Sequence, residues 1–178
     1  EEKVNQGNAL WKREKKEIKN KEYEEFYAGI GPNYDKPWKI IHNKIEGNLN
    51  YTNLIFIPTE KPLDLLNAEK NSNLKLFIKK VFITDKLENI LPKYLRFVSG
   101  IIDSEDISLN ISREMLQNDP IVAKIKSHLT KKILSELKAA LKKSKDDYIK
   151  FWNNFGPVVK EGIHEDFTNK ENILEISL

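Results

Sequence analysis

"GIIDSEDISLNISREMLQNDPIVAKIKSHLTKKILSELKAALKK", residues 100–143, contains the change of period on which the fold reading turns. Ile101–Asp103 reads as a short strand of the buried type, and Ser104–Asn110 as a polar loop. From Asp119 the pattern becomes helical. Asp119 suits an N-cap and Pro120 the first helical position, while Ile121, Ile125, Leu129, Ile133, Leu137 and Leu141 lie one turn apart. Val122 and Leu134 widen that stripe. Between the two periods stands "ISREMLQ". Its Arg113 is one of three arginines among thirty basic residues, the rest being lysines. Lysine would supply the same charge, but only arginine offers a rigid planar fork that fits a carboxylate or phosphate with two bonds. Ser112 suits an N-cap and Glu114 the first turn of a short helix. Arg113 and Gln117 then share one face, with Met115 and Leu116 turned toward the body. The residues leave two readings: an ordinary exposed pair, or an anion- or phosphate-binding hand supplied to a partner.

Upstream, the chain mixes periods. Asn20 can cap a helix over roughly 23–29, with Tyr23, Phe26, Tyr27 and Ile30 on one face. "WKIIHNKIEG" and "LNYTNLIFIP" read as a hairpin around Glu46-Gly47-Asn48, and "LKLFIKKVFITD" (74–85) as one strand. "PKYLRFVSG" reads as a short helix opened by Pro92 and stopped by Gly100. Downstream the chain is helical. Ser144 with Asp147, and Thr168 with Glu171, form capping-box patterns, and "GPVVKEGIHED" between them reads as a turn-like connector. The chain is therefore α/β, with mixed structure over 1–118 and helices beyond.

With 178 residues, 39% hydrophobic and 32% charged, one domain with a sizeable core is expected, alone or with an appendage. A net charge of +3 argues against a dedicated nucleic-acid binder. Without cysteine there is no disulfide framework and no thiolate metal site. No apolar run is long enough for a membrane span, and no signal peptide is visible. The start without methionine and the end at "ENILEISL" read as the ends of a piece of something longer.

Most chemistry can be set aside. His42, His128 and His164 stand apart, with no second ligand at metal-site spacing, so no metal is expected. Gly29-Ile30-Gly31 follows a helix rather than a strand, and no Walker-type loop exists, so the chain carries no nucleotide cradle of its own. No nucleophile elbow is present, and Asp103, Glu105 and Asp106 read as a solvated acidic loop. Lys124, Lys126, Lys131, Lys132, Lys138, Lys142 and Lys143 read as the wet face of the long helix. They leave a passive protein- or nucleic-acid-interaction module as the alternative function. Trp11 is either core packing or an exposed anchor for a partner protein.

Read as a whole, the chain resembles the middle domain of the ninety-kilodalton heat-shock chaperone family, including its bacterial high-temperature protein G branch. The likeness runs from "ALWKREKKEI" through "EGNLNYTNLIFIP" and "KLFIKKVFITD" to "LPKYLRFVSGIIDSEDISLNISREMLQ" and "GIHED". "FWNNFGPVVKEGIHED" is closer to bacterial or organellar members. The resemblance implies a large α-β-α sandwich with a mixed sheet followed by a small helical coil. Residues 1–118 would form the sandwich, 119–143 the helix that closes it, and 144–178 the coil, ahead of a smaller α-β-α unit. It also implies an ATP-driven homodimeric chaperone of unfolded or partly folded clients, cytoplasmic in bacteria or housed in an organelle matrix. ATP with magnesium would sit in an N-terminal domain, and the dimer contact in a C-terminal one. In that family the "SREMLQ" loop is catalytic. The matching positions make Arg113 the residue that reaches the ATP γ-phosphate, assisted by Gln117, and make this chain alone inactive. Phe82 matches an aromatic that packs toward the N-terminal domain, and Trp11 a tryptophan implicated in client contact. The family commonly has proline at Ser108, arginines at Lys79 and Lys80, and phenylalanines at Leu63 and Leu66.

Overall fold

The structure is a computed structural model and describes residues 9–178. Five strands form one mixed sheet: β1 (Pro37–Ile45), β2 (Tyr51–Pro58), β3 (Asn73–Ile78), β4 (Val81–Thr84) and β5 (Ser99–Ser104), in the order β1-β2-β5-β3-β4. β5 runs antiparallel to β2 and parallel to β3, and the two hairpins are antiparallel. Every residue of β2 is buried because both faces of the sheet are covered. Leu54 and Phe56 join Trp11, Ile18, Tyr23 and Tyr27 on one face, beneath α1 (Asn20–Gly29). Ile55 and Ile57 point the other way, into a larger core built with α3 (Pro120–Lys143), α4 (Lys145–Glu165) and α5 (Lys170–Glu175). The arrangement is the α-β-α sandwich with a mixed sheet that the family resemblance implies, with a C-terminal helical part. Residues 1–8 of the expected first unit lie outside the described residues.

The long helix follows its local signals. Asp119 Oδ1 accepts from the N–H groups of Ile121 and Val122 at 2.7 and 3.3 Å, and Pro120 opens α3. Val122, Ile125, Leu129, Ile133, Leu134 and Leu137 are buried.

Four local expectations are corrected. Residues 74–85 are two strands, because Lys79 and Lys80 adopt φ of 48° and 67° and make a two-residue turn. Neither residue type favours that conformation, but their N–H groups are held by the Ser104 carbonyl and the Asp103 carboxylate. Gly100 lies inside β5 and stops no helix, and only a single 3₁₀ turn, Lys93–Leu95, precedes that strand. At φ of 140°, a Cβ on Gly100 would sit 2.1 Å from the Leu54 carbonyl oxygen, so glycine lets β2 and β5 approach. The expected connector from Gly156 is helical, and α4 runs through Pro157 to Glu165. A lost backbone bond at proline is outweighed there by burial of Val158, Val159 and Gly162 against the core. Finally, Thr168 caps nothing: it lies in a 3₁₀ turn, Phe167–Asn169, that Asp166 caps by accepting from Asn169 N–H at 3.1 Å, and Asn169 stands at the N-cap of α5.

Candidate functional site

Three chain reversals meet at one end of the sheet. Ser104, the last residue of β5, pairs with Tyr51 at the start of β2 and with Ile78 at the end of β3. The β1–β2 turn, the Lys79-Lys80 turn and the polar loop after Ser104 therefore share an edge. That loop leads to α2 (Arg113–Gln117). Ser104 Oγ accepts from the N–H groups of Asp106 and Ile107, and buried Ile107 pins the loop's first half. Ser108 closes a local turn, its hydroxyl accepting from Asn110 N–H and its carbonyl from Ile111 N–H. Serine thus supplies by hydrogen bonds some of the restriction that proline would supply covalently. Ser112 Oγ accepts from Met115 N–H at 3.3 Å, the expected N-cap. Leu116 is fully buried and fixes α2, but Met115 is 64% exposed, so the expectation that both residues pin the segment holds for Leu116 alone.

Arg113 and Gln117 are exposed. The three arginines differ sharply in their partners. Arg13 donates to Glu22 at 2.7 Å, and Arg96 holds Glu161 with both terminal nitrogens at 2.6 and 2.9 Å. Arg113 makes no hydrogen bond or ion pair among the described residues. Its five donors are free for an anion from outside.

Phe82, on the edge strand β4, is 51% exposed and stands edge-on to Phe77 with ring centres 5.5 Å apart. Phe77 in turn packs on Trp11 at 4.7 Å. Trp11 itself is only 8% exposed, and its indole nitrogen donates to the buried Asp103 carboxylate at 2.8 Å. The reading of Trp11 as an exposed anchor is therefore corrected: the α1 face needs the ring as core. His42 ties the same segment down. Its Nε2 donates to the Trp11 carbonyl at 2.8 Å, which leaves Nδ1 to accept from the Tyr23 hydroxyl at 2.8 Å. Burial lowers the His42 pKa and favours this neutral form.

No group of three metal-ligating side chains comes together among the described residues. An open cleft of about 1060 Å³ lies where β2 ends and β3 and β5 begin, lined by Tyr27, Tyr34, Leu63, Phe97 and Ser99 among others. Arg113 does not line it. On α3, Lys132 pairs with Glu136, and Lys138 pairs with Glu175, which breaks up the basic stripe. No described helix is long and apolar enough to cross a membrane. Sequence reading missed the buried Asp103 and its links to Trp11 and Lys80, because all three partners are distant in sequence.

Comparison with known proteins gives the same picture. The family model described as "Hsp90 protein" matches residues 1–177. Chaperone protein HtpG of Roseobacter denitrificans is 50% identical over 97% of this chain, and that of Orientia tsutsugamushi is 49% identical over 100% of it. The chain spans 28% of the length of each of these relatives. Among solved structures, the middle domain of a Plasmodium falciparum heat shock protein superposes with a TM-score of 0.81 at 29% identity, covering 95% of this chain and 64% of that one. Family model and fold agree: the chain belongs to the Hsp90 family, and it has the fold of a middle domain of that family.

Proposed function

We propose that this middle domain completes an ATPase site housed elsewhere in the same protein, by presenting Arg113 to the γ-phosphate of ATP. Gln117, one turn away on the same short helix, assists. The observation that carries the reading is the unpartnered guanidinium: Arg13 and Arg96 are each matched by a carboxylate, while Arg113 is capped, anchored through Leu116 and left without a partner among the described residues. A preorganised fork stabilises the charge that spreads over phosphoryl oxygens in the transition state. The chain has no phosphate loop, so the nucleotide with its magnesium belongs to an N-terminal domain, and the middle domain alone turns over no ATP. Phe82, half exposed beside the same edge, offers an apolar contact to that domain. Unfolded or partly folded proteins are the clients, a C-terminal domain joins two copies, and the cytoplasm is the site of action. Residues 144–178 form the helical coil that leads toward a smaller α-β-α unit.

Arg113→Ala in the full-length protein tests this. Turnover is expected to fall by up to about 10³–10⁵, the range for arginine fingers, while ATP still binds. Turnover within about twofold of the parent would sink the assignment.

A further inference from the structure

The loop that carries Arg113 is tied to the β1–β2 turn by a compact set of hydrogen bonds. Asp106 accepts twice from Asn50: Oδ2 from the backbone N–H at 2.8 Å and Oδ1 from Nδ2 at 3.2 Å. The Asn50 carbonyl accepts from Glu105 N–H at 3.0 Å. Asn50 is itself held in place, since its Oδ1 accepts from Gly47 N–H and its Nδ2 donates to the Gly47 carbonyl, both at 3.1 Å. Gly47 adopts φ of 130°, which closes the turn around Asn50. On its other side Asp106 donates its own N–H to Ser104 Oγ at 3.2 Å.

We propose that Asn50 and Asp106 form a clamp that aims Arg113, acting as positioning residues for the phosphoryl-transfer site. This rests on the reading of Arg113 given above. Between Asp106 and Arg113 only Ile107 is fully buried, and Ser108–Ser112 has its own local turn and the partly buried Ile111. The Arg113 loop is therefore held at two ends: by the clamp with Ile107 on one side, and by Leu116 with the Asp119 cap on the other. The clamp is at the surface, so each bond adds little to stability. Aim is a different quantity, because a misplacement of about 1 Å costs up to about 10²-fold in rate. Loss of the clamp should therefore appear in turnover and not in melting. Its parts are specific. Asn50→Asp keeps the acceptor for Gly47 but sets a second carboxylate against Asp106. Asn50→Asp combined with Asp106→Asn exchanges donor and acceptor and restores the bond.

The experiment uses the full-length protein, with kcat and KM for ATP and the melting temperature measured for each variant. Asn50→Asp should lower kcat by about tenfold with KM and melting unchanged, and the exchanged pair should recover most of that loss. In an Arg113→Lys background, which lacks the fork, Asn50→Asp should cost less than about twofold more. If Asn50→Asp leaves kcat intact while Arg113→Ala abolishes it, the clamp is wrong and the site stands. An equal loss in the Arg113→Lys background shows an effect that does not pass through Arg113, and also overturns the clamp. Full turnover in Arg113→Ala overturns the site and the clamp together. Should Asn50→Asp fail to fold, Asp106→Asn, which places two amide donors face to face, is read by the same criteria.

Discussion

Arg96 and Arg113 are the same residue in opposite circumstances. Arg96 is 1% exposed, and its fork grips Glu161 while Nε donates to the Leu65 carbonyl at 2.6 Å and one terminal nitrogen to the Lys93 carbonyl at 2.9 Å. It fastens the segment before β5 to helix α4 and to the turn at Leu65. Arg113 is exposed and donates to nothing among the described residues, though its backbone is capped and anchored. An arginine whose three nitrogens are all engaged inside the fold holds the fold. One whose backbone is fixed while its donors remain free is available to a partner. Substitution of each should therefore fail in a different assay.

The largest effect expected is the loss of turnover in Arg113→Ala, by up to about 10³–10⁵, with the unfolding midpoint unchanged. The mirror image is Arg96→Ala. It removes four donated bonds, strands the buried Leu65 carbonyl and leaves a void, which should lower unfolding free energy by about 2–4 kcal/mol in a urea titration. Glu161→Ala should cost less, roughly 1 kcal/mol, because its side chain is 37% exposed and the arginine keeps its two carbonyl acceptors. A stability change below about 0.5 kcal/mol in Arg96→Ala would break the comparison, since a fastener that fastens nothing is no contrast to a free hand.

Much of this was legible wherever the determining contact is local. Asp119-Pro120 and the stripe from Ile121 to Leu137 specify α3 within a few turns, and Ser112 caps α2 from one residue away. The wholly apolar core of β2 announces a strand covered on both faces. What escaped depends on distant partners. Lys79-Lys80 turns because Asp103 and Ser104, on a strand two elements later, hold its N–H groups. Pro157 sits inside α4 because the surrounding positions are buried in the core, which no local helix rule weighs. Trp11 is core because Asp103 and Phe77 wait for it. Arg113 is an intermediate case. Its local setting marks it as presented, but the anion it is proposed to meet lies on another domain, so resemblance to a family named the role that spacing left open.

The smallest effect concerns the fastened side of the comparison and has a definite sign. His42 joins β1 to the Trp11 segment and to Tyr23 in its neutral form, and burial, aided by the positive charge of Lys15, lowers its pKa against the opposing pull of the Trp11 carbonyl. The unfolded histidine titrates at about 6.5, so between there and the lower folded value the unfolded chain binds more protons. Stability is then full above about 6.5 and falls as pH drops toward the folded pKa. His42→Gln removes the titrating group while keeping a side-chain donor. Urea midpoints at about pH 7.5 and about pH 5.5 should therefore lie closer together in the variant than in the parent. Equal separations would show that the Trp11 segment is not held by a neutral imidazole. The carboxylates contribute the same slope to both proteins, so the difference isolates His42.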